Sequence, residues 1–242
     1  MSTIADAEPA PHGFAVVFDC ETTGFDEPDV IELAHTEPMI APFDPAPRVN
    51  CSRFKPRKPI TYGALATHHI FEGELAQCEP WTGTWSPPLG TEYLIGHNVD
   101  YDWKAIGSPD IKRICTLALT RRHWPDVDSH TLGAMTYATA THQDCYELRE
   151  RLQFSHSAGT DVFLTQRLLS VIVANIGAKT WDELWQASEI ARVPLRFSFG
   201  KFKGKLISDI RKADRGYISW CLNQDFVRED PYLAKALRGE TA

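Results

Sequence analysis

Asp19 and Glu21 stand two residues apart in Asp19-Cys20-Glu21-Thr22-Thr23-Gly24, directly after the unbroken apolar run Phe14-Ala15-Val16-Val17-Phe18. The run reads as a strand buried on both faces, and side chains two apart on a strand point the same way. Both carboxylates therefore address one point. Two such acids beside a core repel each other unless protons or cations neutralise them, and hard ions such as Mg2+ or Mn2+ favour carboxylate oxygen and water. Two further segments add to the set: Asn98-Val99-Asp100-Tyr101-Asp102, after the short apolar stretch Tyr93-Leu94-Ile95-Gly96, and His156 with Asp161, before an apolar helix. Asp-x-Glu alone would read as a solvated turn. Four carboxylates and an imidazole together read as a site for divalent metals and water.

In order and spacing, these three segments resemble the three sequence motifs of the DEDDh 3′-to-5′ exonucleases. Position by position, the resemblance implies that Asp19, Glu21, Asp102 and Asp161 hold two Mg2+ or Mn2+ ions and that His156 is the general base. Asp100 is set aside, because in a helix it would lie about 200° around the axis from Asp102. The family pattern also puts an aromatic residue just before the ligand, a place that Tyr101 fills. Thr22, Thr23, Gly24, Asn98 and Tyr101 are expected to line the nucleic acid. His68 matches a position where the family often shows a histidine near the substrate terminus, although a cap or a solvent-exposed ring reads equally well there. Within one helix, His156 and Asp161 would diverge by about 140°. His156 is therefore expected on the loop before the helix, and Asp161 in its first turns.

The implied reaction is hydrolysis of DNA from a free 3′ end, single-stranded or frayed, releasing nucleoside 5′-monophosphates. Two metals about 4 Å apart would stabilise the attacking and leaving oxygens of an in-line displacement. Two other readings stay open. An exoribonuclease of the same family would use the same metal chemistry, since discrimination depends on contacts to the 2′-hydroxyl. A catalytically silent nucleic-acid-binding or polymerase-associated subunit would share the fold.

The elements that must position these groups can be sketched from pattern. Val30-Ile31-Glu32-Leu33-Ala34 and Asn50-Cys51-Ser52-Arg53-Phe54 read as further strands, with another before Asn98. Helices are expected over 63–67, 115–123, 131–138 and 160–173, with one more capped by Thr180 and ended by Pro194. The expected fold is α/β, a ribonuclease H-like mixed central sheet flanked by helices, which follows from the resemblance more than from periodicity. Residues 1–12 read as a disordered lead-in, 13–194 as the exonuclease domain and 195–242 as a small basic hairpin-plus-helix module. Phe199-Gly200-Lys201-Phe202-Lys203-Gly204-Lys205 resembles the closing module of the exodeoxyribonuclease X-like branch of the family. The likeness covers about 14–226 and is weakest over 138–153.

Composition agrees with this picture. The chain has 242 residues, 43% of them hydrophobic, and six cysteines without paired close spacing, which argues against a zinc cluster or a disulfide framework. The longest apolar tract, 168–178, is too short to cross a bilayer, and a cytoplasmic protein is expected. A net charge of −7 opposes phosphate binding in sum but not in distribution. Arg48 to Lys58 holds five basic residues and no acid, and Arg196 to Arg215 holds seven basic and two acidic residues. The first group reads equally as a solvated edge. In the second, Lys201, Lys203 and Lys205 are expected to track phosphates, while the interleaved Phe197, Phe199 and Phe202 either stack bases or form the module's core.

Overall fold

The computed structural model describes residues 13–42, 48–153 and 155–240. The expected lead-in, 1–12, lies outside the described residues. Strand β1 (Phe14–Thr22) has neighbours on both edges, and its Ala15, Val16, Val17 and Phe18 are fully buried. A run without polar alternation is what a strand needs when both its faces are covered. β1 pairs antiparallel with β2 (Val30–Thr36), which pairs antiparallel with β3 (Val49–Lys55), whose outer edge carries the two-residue β4 (Glu79–Pro80). On the other side β1 runs parallel to β5 (Thr91–Gly96), and β5 to β6 (Lys112–Cys115). The result is a mixed six-stranded sheet in the order β4-β3-β2-β1-β5-β6.

Helices follow the strands closely. α1 (Tyr62–His68) is capped by Thr61 Oγ1, which accepts the Ala64 N–H, and the short α2 (Glu72–Leu75) comes next. α3 (Val99–Ala105) begins three residues after β5, and α4 (Thr116–His123) follows β6 at once. α5 (Leu132–Thr139) is capped by Thr131, and α6 (His142–Leu152) opens on a capping box in which Thr141 and Asp144 serve each other's backbone N–H. α7 (Ala158–Ile176) packs across β1 and β2 through Val162, Leu168, Leu169, Ile172 and Val173, all buried. α6 was not expected, because its apolar positions are few. It rests on α7 by polar contacts, Arg167 to Asp144 at 2.7 Å and the Arg151 guanidinium over the Phe163 ring. Among the described residues, no single helix is long and apolar enough to cross a membrane.

α8 (Trp181–Arg192) carries the chain from the first compact unit, ending at Trp185, into the second, beginning at Gln186. The expected hairpin of the second unit is reduced to one bridge, Arg196 to Leu206, around a 3-10 turn over Gly200–Phe202. The physical reason is packing. Phe197 is buried, and Phe199, Phe202 and Tyr217 cluster about it, so the chain curls to bring these rings together. Gly200 permits the curl at φ +65°, where a Cβ would collide with the Tyr217 hydroxyl. The rest of the unit is helical: α9 (Ile207–Ala213), α10 (Arg215–Leu222), α11 (Asp225–Arg228) and α12 (Pro231–Arg238). α12 starts on an Asp230 cap with proline at its first position.

Trp181 is 1% exposed, and its Nε1 donates to the Met39 carbonyl at 3.1 Å. Trp181→Ala should cost about 3–5 kcal/mol in a denaturant melt, with Trp181→Phe intermediate.

Candidate active site

At the carboxyl end of β1 the register with β2 shifts between Glu21 and Thr22, a bulge of the kind that re-aims side chains beside a site. Asp19 and Glu21 project from this end. Asp161 lies in the first turn of α7, and oxygens of these three carboxylates fall within 4.8 Å of one another. Asp102 comes from α3, 5% exposed; its Oδ1 accepts the Cys20 N–H at 3.3 Å and lies 3.2 Å from the Cys20 thiol. Those two donors fix the carboxylate against β1. His156 is exposed on the loop before α7, with φ +65°.

Electrostatics make the cluster untenable as four bare anions. Burial, then Asp102, Asp161, Glu21 and Glu32, push the Asp19 pKa well above its ordinary value. Burial followed by Asp161 and Asp102 pushes Glu21 up to about 8. Asp102 rises to about 7 through burial, against the opposing bonds from Cys20. Asp161 rises to about 6, again through burial, with His156 pulling it back. Asp161 Oδ1 is buried and has no hydrogen-bond partner. An orphaned oxygen beside two close carboxylates fits a divalent cation, which takes oxygen donors and neutralises charge.

The remaining expected residues divide into those that line this end and those held elsewhere. Thr22 Oγ1 lies 2.6 Å from Tyr101 OH, which donates to the Gly24 carbonyl at 2.7 Å; Thr22 Oγ1 is itself 3.0 Å from that carbonyl. Phe25, 90% exposed, meets Tyr101 edge-on. Thr23 Oγ1 instead accepts the Asp29 N–H and closes the turn after β1. Asn98 starts α3 in the left-handed conformation, exposed and without a side-chain cap bond. His68 is buried: Nδ1 accepts the Ile70 N–H at 3.0 Å, and Nε2 makes no hydrogen bond of normal length. Burial lowers its pKa, opposed by the Thr22 backbone. Of the readings the sequence allowed, the solvent-exposed ring is the one the fold does not adopt, while the bond to Ile70 N–H is of the capping kind. Asp100 pairs with Arg113 and takes no part in the acid trio.

In the second unit Lys201 pairs with Asp214 at 3.0 Å and lies over Phe202 and Tyr217. Lys203 and Lys205 are exposed. Three of the five cations of 48–58 are engaged with acids: Arg53 bonds Glu32 and Glu74, Arg57 bonds the fully buried Asp29, and Lys58 bonds Glu27. The sequence reading passed over three contributors. Glu32 is one, and a lone charge inside Val30-Ile31-Glu32-Leu33-Ala34 was its signal. Cys20 is the second. His97 is the third: Nε2 lies 2.8 Å from the His130 carbonyl, so it carries the proton, and Nδ1 lies 3.0 Å from Thr116 Oγ1. Burial holds His97 down to about 4. This neutral ring locks the junction from β5 into α3.

A family model described as exodeoxyribonuclease X-like C-terminal matches residues 197–226. Exodeoxyribonuclease 10 of Escherichia coli K12 is 30% identical over 176 residues, covering 70% of this chain and 74% of the relative. The chain belongs to the exodeoxyribonuclease X-like family of DEDDh exonucleases. Two solved structures share the fold. Exonuclease X in complex with 5′-overhanging duplex DNA superposes with a TM-score of 0.56 at 22% identity, covering 72% of this chain and 99% of that one. E. coli exonuclease I with a dA16 oligonucleotide gives 0.51 at 16% identity, over 72% and 42%. Membership makes the chain a 3′-to-5′ exonuclease and implies a divalent metal, for which the cluster of Asp19, Glu21 and Asp161 is suited.

A group whose folded pKa is raised keeps protons that the unfolded chain has lost, so its contribution to stability falls as pH rises. For Glu21, Asp102 and Asp161 that window runs from their ordinary values near 4 to about 8. In chelator, the melting temperature should fall between pH 5 and pH 8, and added Mn2+ should restore it most at the alkaline end; differential scanning calorimetry reads both.

Proposed function

We propose that the enzyme cleaves the terminal phosphodiester of DNA 3′ ends, single-stranded or frayed, with two Mg2+ or Mn2+ ions held by Asp19, Glu21, Asp102 and Asp161. The observation that carries this reading is the gathering of Asp19, Glu21 and Asp161 within 4.8 Å, although the third comes from 140 residues further along the chain. The choice of DNA is supported by the relative's name, exodeoxyribonuclease. Bound divalent cations supply neutralising charge and Lewis acidity toward the attacking and leaving oxygens.

The protein's own groups do the rest. His156 accepts the proton of the attacking water as its oxygen bonds to phosphorus, a task suited to imidazole near neutral pH. The bond from phosphorus to the 3′-oxygen of the penultimate nucleotide breaks, and that oxygen takes a proton from solvent. The product is a nucleoside 5′-monophosphate. Thr22, Gly24 and Tyr101 form a hydrogen-bonded ledge, and with the exposed Phe25 they offer a surface for the terminal nucleotide.

A panel of 5′-end-labelled substrates tests the reading, DNA against RNA and single against double strands. Metal-dependent shortening of DNA with release of mononucleotides is expected. Faster RNA degradation would reassign the substrate, and no degradation in Mg2+ or Mn2+ would leave a silent binding protein. Asp102→Ala and His156→Ala should each nearly abolish turnover, but only Asp102→Ala should also weaken Mn2+ binding. Asp100→Ala should retain most activity; the reverse pattern would overturn the ligand assignment.

Lys203→Ala/Lys205→Ala should weaken single-stranded DNA binding across sequences. The slope of log affinity against log salt should become shallower by about 0.7 per lysine that contacts phosphate. Fluorescence anisotropy in a salt series measures it.

A further inference from the structure

Glu32 on β2 is 3% exposed and stands directly opposite Glu21 of β1. Like charges so placed destabilise a sheet. On its other side Glu32 is in register with Arg53 of β3, whose Nε donates to Oε1 at 2.8 Å. Its second oxygen, Oε2, accepts the backbone N–H of Ala158 at 2.9 Å, across 126 residues of sequence. Ala158 is the first residue of α7, and Ser157 before it makes no side-chain cap bond. An N–H orphaned at a helix start is thus satisfied from the sheet by a carboxylate, which also suits the positive end of the helix dipole.

The elements on either side of this bond carry the candidate chemistry. Two residues upstream, His156 is held at φ +65°, a conformation that costs a non-glycine residue and persists only when its surroundings impose it. Three residues downstream comes Asp161. We propose that Glu32 is a positioning residue: it caps α7 from β2 and so fixes His156 and Asp161 on the same frame as Asp19 and Glu21. Arg53 supplies the charge that allows an acid to sit opposite Glu21. The proposal rests on the reading of those four residues given above.

Three substitutions separate the acceptor from the charge. Glu32→Gln keeps an oxygen acceptor, Glu32→Ala removes it, and Ala158→Pro removes the donor, at a helix position where proline is at home. Glu32→Ala and Ala158→Pro should each lower kcat about 10–100-fold with KM within about two-fold, and weaken Mn2+ binding to DNA-free protein to a similar degree by titration calorimetry. Glu32→Gln should restore most of both. The double variant Glu32→Ala/Ala158→Pro should be little worse than either single one, because both break the same bond. Unchanged kcat and Mn2+ affinity, a glutamine variant as impaired as alanine, or additive losses would each overturn the proposal. Should Glu32→Ala fail to fold, the glutamine and proline variants decide. A wild-type chain that binds Mn2+ yet releases no nucleotide would defeat the functional reading instead, and the Mn2+ affinities would still settle the role of Glu32.

Discussion

Four carboxylates that burial drives toward protonation lie at the end of β1 and at the starts of α3 and α7, and keeping them ionised near neutral pH requires positive charge close by. The fold supplies little of it directly. Backbone and thiol donors of Cys20 serve Asp102, and His156 offsets part of the burial of Asp161. Asp161 Oδ1 is left without a partner. The surrounding structure holds the acids together in spite of their repulsion: an apolar central strand, a long helix across it, and His97 locked between Thr116 and the His130 carbonyl. Rigidity here serves to store an unfavourable electrostatic arrangement that a divalent cation relieves.

Much of this was legible in the sequence. The run Phe14–Phe18 announces a doubly covered strand, and the two-residue step from Asp19 to Glu21 puts both acids on one side of it. The loop position of His156 and the helical Asp161 follow from their spacing, since one continuous helix would part them. Motifs read well because they sit at element ends, where local geometry decides direction. α6 was missed because its hold on α7 is polar, and only the Thr141 to Asp144 capping spacing marked it. The C-terminal hairpin failed for the opposite reason: alternating phenylalanines and lysines look like a strand, but the rings converge on Phe197 and curl the chain. Contacts between distant segments, such as Glu32 with Ala158, leave no local trace beyond a charge in an apolar strand.

The second unit illustrates how composition misleads about surface. Of its three closely spaced lysines, the exposed Lys201 is tied to Asp214 and lies over two rings, so part of the apparent basic charge is already matched. The same holds in the first unit, where Asp29 gathers the Arg57 guanidinium together with the backbone N–H groups of Arg57 and Lys58.

That neutralisation of the 53–58 segment has a consequence for how a polyanion approaches. With Arg53, Arg57 and Lys58 each matched to an acid and Lys55 exposed, this segment adds less attractive potential than its four cations suggest. In the cation-free protein the raised pKa values keep part of the acid cluster protonated, so protons and divalent ions compete for the same oxygens. Ion loading and strand capture are linked wherever both bear on these acids: whatever factor one applies to the affinity of the other is returned in full. The acids thereby exchange protons for the divalent ions that family membership implies.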